Sequence, residues 1–178
     1  MKSIREYFGS RYSLVGVKIY DEVPQDYPRP EKSGRYCEFV KRAALGETLI
    51  MLEEDEECPE SLIALGFQEP SFIDLQPRLQ PAAKTNAVLI APLEKISEPD
   101  VVLMILNPRQ AMEIAALVDG LKAQFKGGMA VCGEVTALPI KENRVNLSFL
   151  CGGARMFADY KDSEVILGAN MKFFQELE

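Results

Sequence analysis

The 178-residue chain contains no histidine and no tryptophan. The first absence removes Ser-His-Asp and Cys-His catalysis within one chain, and His-ligated zinc and haem sites with it. Acid–base work would fall to Glu, Asp, Lys, Tyr or Cys. Basic charge is also short. The 20 Lys and Arg stand against 27 Asp and Glu, a net charge of −7, which argues against nonspecific nucleic-acid binding driven by phosphate neutralisation. Nor do Tyr7, Phe8, Tyr12, Tyr20 and Tyr27 interleave with a basic stripe. No apolar run approaches the roughly 20 residues that cross a bilayer. The opening Met1-Lys2-Ser3-Ile4-Arg5-Glu6 lacks the apolar core of a signal peptide. The expectation is a cytoplasmic single domain over 1–178 with neither nucleic acid nor membrane as partner, leaving a small molecule as the open class.

Four cysteines are present, Cys37, Cys58, Cys132 and Cys151, without any CxxC pair. A reducing compartment disfavours structural disulfides, and the missing CxxC weakens a zinc-ribbon reading.

Hydrophobic periodicity places strands at 14–20, 48–52, 87–92, 101–106, 145–150 and 164–167. Helices are expected at 3–8, at 36–45 closed by Gly46, after Cys58-Pro59, and after Asn107-Pro108. The last of these presents Ala111, Met112, Ile114, Ala115, Leu117, Val118 and Leu121 on one face and ends at Gly127-Gly128. Further helices follow Cys151 and cover 171–177, while 129–138 fits helix or strand equally well. The run Val101 to Leu106 is continuously apolar, as in a strand buried on both faces. Three prolines make 23–33 a loop. The fold class is α/β or α+β, a mixed sheet covered by helices. Both halves, 14–67 and 101–168, run strand, helix, strand, cysteine, short helix, joined by a linker at 68–86, so an internal duplication into two pseudo-symmetric halves is a candidate organisation.

Chemistry is expected at the cysteines. Cys58 and Cys151 each follow an apolar strand and open a short helix, where the backbone dipole favours a thiolate. In Cys151-Gly152-Gly153-Ala154-Arg155, two glycines let a ligand approach the backbone, and Arg155 stands one helical turn from the thiol to pair with it or with an anion. The acidic run Glu53 to Glu57 opposes a thiolate at Cys58 and reads as a solvated loop. Cys132-Gly133-Glu134 pairs a thiol with a carboxylate, and Arg35 is placed to lower the pKa of Cys37.

Several of these segments also occur together elsewhere. Gly34-Arg35-Tyr36-Cys37-Glu38-Phe39, Cys58-Pro59, Pro108-Arg109-Gln110-Ala111-Met112, Val131-Cys132-Gly133-Glu134 and Cys151-Gly152-Gly153-Ala154-Arg155 appear in this order. They resemble the uncharacterised ArCR family, domain of unknown function 169, over most of the chain. The resemblance implies no reaction, cofactor or catalytic residue.

The leading expectation is a small-molecule or cofactor-binding protein. Its cysteine-lined, anion-accepting pocket includes Cys151, Gly152, Gly153 and Arg155, with Cys132, Glu134 and Cys58 nearby, and thiolate redox chemistry stays open. Two alternatives stand beside it: a thiolate-ligated metal or iron–sulfur protein, and a noncatalytic interaction subunit with buried structural cysteines. No cofactor, metal or reaction is assigned.

Overall fold

The computed structural model describes residues 11–69, 78–79, 84–117, 122–123 and 130–176. The helix expected at 3–8, most of the linker, and the Gly127-Gly128 helix end lie outside the described residues.

Seven strands form one mixed sheet in the order β2-β3-β1-β4-β7-β6-β5. They are β1 (Val15–Tyr20), β2 (Leu49–Met51), β3 (Ala87–Pro92), β4 (Val101–Leu106), β5 (Lys122–Ala123), β6 (Asn146–Ser148) and β7 (Val165–Ala169). Every neighbouring pair is antiparallel except β5 with β6. Successive side chains on a strand point to opposite faces, and β4 is buried on both. Val101, Leu103 and Ile105 join one core, while Val102, Met104 and Leu106 join another. That accounts for its unbroken apolar run.

Helices α1 (Tyr36–Ala44), α2 (Pro59–Ala64) and α5 (Gly152–Phe157) cover the first face. A helix over 131–142 joins them there. Its middle, Gly133–Ala137, is a π turn, and it continues as α4 (Leu138–Glu142). The segment that fits helix or strand by sequence is thus helical from Val131 onward. Helices α3 (Pro108–Leu117) and α6 (Met171–Glu176) take the opposite face. Asn107 and Gln110 close a reciprocal cap at the start of α3. Its apolar face is narrower than its sequence suggests. Ala111 and Ile114 are buried, but Met112 and Ala115 face solvent, because the helix touches the sheet along one narrow line.

The strand order reads the same from both sides of the β1–β4 junction. Matching β1, β2 and β3 with β4, β6 and β7 makes β2-β3-β1 the mirror of β4-β7-β6. The matched halves carry matched cysteines. Cys37 is the second residue of α1 and Cys132 the second of the 131–142 helix, while Cys58 and Cys151 each precede a short helix. An antiparallel pair such as β1 and β4, with Gly16 opposite Val102, has its local twofold perpendicular to the sheet. Both cysteine pairs are therefore carried to the same face. The strand correspondence takes in β3, beyond residue 67, while α3 and β5 have no counterpart among the described residues of the first half.

Packing at this interface is tight. A Cβ added to Gly168 on β7 would lie 1.8 Å from the Val135 carbonyl oxygen in the π turn. Backbone cannot rotate aside, so Gly168→Ala is expected to cost about 1–3 kcal/mol or more. Gly152→Ala, with open space around the new methyl, should stay within about 0.5 kcal/mol of wild type. Urea denaturation of both variants measures the contrast.

Candidate functional site

All four cysteines meet at one cleft. Cys37, Cys58, Cys132 and Cys151 line it together with Arg35 and Gly153. They reach it from α1, from the start of α2, from the 131–142 helix and from the start of α5. The cleft holds a cavity of about 20 Å³, room for about one water-sized body. Tyr36, Ala130 and Val131 give it an apolar wall. Cys132 is buried, and the other three thiols are half-buried.

Burial dominates the acid–base character of these thiols. It pushes the Cys37 thiol up to about 12, with smaller upward pushes from Cys151, Glu56 and Cys58. Burial outweighs the lowering expected from Arg35. Cys58 is raised as well, by burial first and by Glu56 second, against the Ser61 and Glu60 amides that favour the thiolate. The helix-start argument for a Cys58 thiolate therefore fails, since loss of solvent outweighs two amides. Cys132 is raised well above the ordinary thiol range by burial, then by Cys58, Glu56, Cys151 and Cys37. These mutual effects identify the thiols as neighbours. At neutral pH, Cys37, Cys58 and Cys132 carry their protons.

The start of α5 is shaped by strain. Leu150, immediately before Cys151, has φ +71°, a conformation unfavourable for a residue with a branched side chain. The Ser148 hydroxyl accepts its amide at 3.0 Å. Cys151 Sγ in turn accepts the Ala154 amide at 3.4 Å.

The buried carboxylate of Glu56 ties two cysteine segments together. Its Oε2 accepts the Tyr36 amide at 2.8 Å, the first amide of α1, and the Ser61 hydroxyl at 2.8 Å. Its Oε1 accepts the Cys58 amide at 2.7 Å. Burial pushes its carboxyl up to about 7, opposed by those three donors and by Arg35. The acidic run is therefore not a simple solvated loop. Glu53–Asp55 forms a 3₁₀ turn, Asp55 takes a two-pronged bond from Arg29, and Glu56 is buried.

The remaining expected site residues divide. Gly153 lines the cleft, and a Cβ there would stand 3.3 Å from Arg35 Nη1 and 3.7 Å from Cys151 Sγ. Gly152 is exposed with nothing facing it. Arg155 is directed elsewhere. Its guanidinium donates to the carbonyls of Lys161, Phe149 and Glu164, a strap that ties the α5–β7 loop to the segment before α5. The cation at the cleft is Arg35, whose guanidinium lies 4.0 Å from the Phe157 ring centroid. Glu134 is fully buried and receives the Asn146 side-chain amide, away from the cleft lining. Among the described residues, no three His, Cys, Asp or Glu side chains converge closely enough to hold a single metal ion. No helix among them is long and apolar enough to cross a membrane.

The family model of the uncharacterised ArCR proteins, domain of unknown function 169, matches residues 3–76 and 70–178. The chain belongs to the ArCR family. One relative is the uncharacterized protein MJ0308 of Methanocaldococcus jannaschii. The two are 22% identical over 188 residues, which cover 86% of this chain and 80% of that protein. No solved structure matches significantly.

Cys37, Arg35 and Glu56 belong to the site but lie outside the pocket expected from sequence. A signal for Cys37 was present. Cys37 and Cys58 are 21 residues apart and Cys132 and Cys151 are 19 apart, a matched spacing that pairs Cys37 with Cys132. Nothing in five consecutive acidic residues marks Asp55 and Glu56 as buried, or Glu56 as the one bonded to the Tyr36 and Cys58 amides.

Proposed function

We propose that this ArCR protein binds a thiophilic cofactor in the four-cysteine cleft, with cysteine sulfur as the ligating atom. One observation carries the reading: four thiols from four separate chain segments line a single cleft. Chance burial of small apolar cysteines would scatter them through the core. Arg35 at the rim offers countercharge to an anionic cofactor, the role first expected of Arg155. A cytoplasmic location, where thiols stay reduced, suits the site.

The protonated state of the thiols has a direct consequence. A soft cation must displace their protons, so binding strengthens as pH rises. Titrating the reduced full-length chain with Cd²⁺ under anaerobic conditions is expected to produce a sulfur-to-cadmium charge-transfer band. Affinity should increase at least about tenfold from pH 6 to pH 8. Alkylation read by mass spectrometry should show all four cysteines protected by the metal. Absence of the band, with alkylation rates unchanged by Cd²⁺, would overturn the reading and favour a subunit whose cysteines are merely buried.

A further inference from the structure

Resting on that reading, we infer that the cofactor is an iron–sulfur cluster held by Cys37, Cys58, Cys132 and Cys151, two ligands from each pseudo-symmetric half of the fold. Four cysteine thiolates are the complete ligand set of both common cluster types, and a chain without histidine restricts the donors to sulfur and oxygen.

The geometry favours a cluster over a lone ion. Four thiolates bonded to one zinc at about 2.3 Å are in mutual contact and leave no space between them. Here all four thiols line one cleft, yet no three of the described ligand-type side chains approach closely enough to share one ion. A cluster ligates thiols that stand apart, and binding one requires the cleft to widen beyond its cavity of about 20 Å³. The twofold relation adds a second, independent argument. Cys37 and Cys132 occupy equivalent helical positions, and Cys58 and Cys151 equivalent strand-to-helix turns. The β1–β4 axis therefore relates the two ligand pairs, which suits a centre with several equivalent metal atoms.

The surroundings agree. Tyr36, Ala130 and Val131 shield the site with apolar surface. The Arg35 guanidinium borders the cleft. It is placed to offset the net negative charge that four thiolates leave on an iron–sulfur core. A π turn beginning next to Cys132 and a left-handed Leu150 next to Cys151 are the kinds of local irregularity that gather at functional sites.

Loading requires no redox partner when the donor is a preformed four-iron, four-sulfide cluster carrying small alkylthiolate ligands. Each protein thiol forms an iron–sulfur bond as one alkylthiolate leaves, and the cysteine proton passes to the departing thiolate. The oxidation state of the core is unchanged. Mixing this donor anaerobically with the reduced full-length chain, followed by desalting, is the test. Equimolar iron and acid-labile sulfide, about two to four of each per chain, with visible charge-transfer absorption, is the expected result. Cys132→Ala and Cys151→Ala should each lower retained cluster at least about tenfold, with circular dichroism checking that the variants fold. Alkylation of loaded wild-type chain gives a reading independent of any variant, since all four cysteines should be protected together. Iron below about one per chain, or protection that omits one half of the fold, would overturn the inference. If Cd²⁺ still binds in that case, a thiol-ligated cofactor stands and only its identity as a cluster falls.

Discussion

Replacing Glu56 with alanine is expected to destabilise the protein by about 3–5 kcal/mol near pH 5, and by far less above pH 7. The carboxyl group receives the Tyr36 amide, the Cys58 amide and the Ser61 hydroxyl. Alanine leaves these three donors without an acceptor, at about 1–3 kcal/mol for each buried group. The pH dependence follows from where its proton is held. The folded protein pushes this carboxyl up to about 7, so between its unfolded range near 4.3 and pH 7 the native state binds a proton that the unfolded state has released. Its contribution is complete below the unfolded pKa and declines as pH rises through about 7. Each pH unit in that window removes about 1.4 kcal/mol. Wild type should lose stability from pH 5 to pH 7 relative to Glu56→Ala, so the two curves converge. Urea denaturation at pH 5, 6, 7 and 8 reads the difference, and a gap that widens with pH would contradict the account. Because Glu56 anchors the start of α1 and the turn at Cys58, the variant should also expose Cys37 and Cys58 to alkylation faster than Cys132.

Lys41→Met is expected to cost about 3–5 kcal/mol at pH 7. Lys41 Nζ donates to Glu164 Oε2 at 2.8 Å and to the Asp159 carbonyl at 2.7 Å, and it stands 4.5 Å from the Tyr160 ring centroid. Both partners of the ion pair are nearly buried. Burial would raise the Glu164 carboxyl, but the bonds from Lys41, the Tyr12 hydroxyl and the Lys161 amide outweigh it and hold the group down to about 2. With Lys41 gone, Arg11 remains as a mostly exposed partner and cannot replace a buried ammonium. For a depressed carboxyl the sign is opposite to that of Glu56. Its stabilisation is present above the unfolded pKa and is lost as pH falls through about 2. Wild type should show a steep loss of stability in acid below about pH 4 that Lys41→Met lacks, the variant being weak already at neutral pH. An acid-unfolding series on both proteins measures this. Equal slopes would show that the carboxyl is held down by Tyr12 and Lys161 alone.

These two carboxylates illustrate what a sequence can conceal. Glu56 sits in a run of five acidic residues that reads as a solvated loop, and Glu164 opens the expected strand at 164–167. Both are buried anchors. Their roles depend on partners 20 and 123 residues away, which no local pattern specifies. The same reason explains Arg155. Helical spacing places it near Cys151, but its guanidinium is taken up by the Lys161 and Glu164 carbonyls of the α5–β7 loop and by the Phe149 carbonyl before α5.

Most strands and helices were legible because their signals are local; the strand at Lys122–Ala123 was not, since the sequence pattern carries the helix after Asn107-Pro108 through it to Gly127-Gly128. Alternation marked β1, continuous apolarity marked β4, and proline at the first helical position marked α2. The composition by itself confined the protein's chemistry to sulfur, oxygen and amine groups, since no imidazole is present. The repeated order of strand, helix, strand and cysteine was visible too. What only the tertiary structure decided is that β1 and β4 lie side by side and antiparallel. That pairing sets the twofold relation between the halves and turns both pairs of cysteines to one face. Four thiols dispersed over 115 residues, from position 37 to 151, thereby become the lining of one cleft. Hydrogen bonds between strands far apart in the chain made that arrangement, and burial in it, rather than any neighbouring residue, holds Cys37, Cys58 and Cys132 in the protonated form.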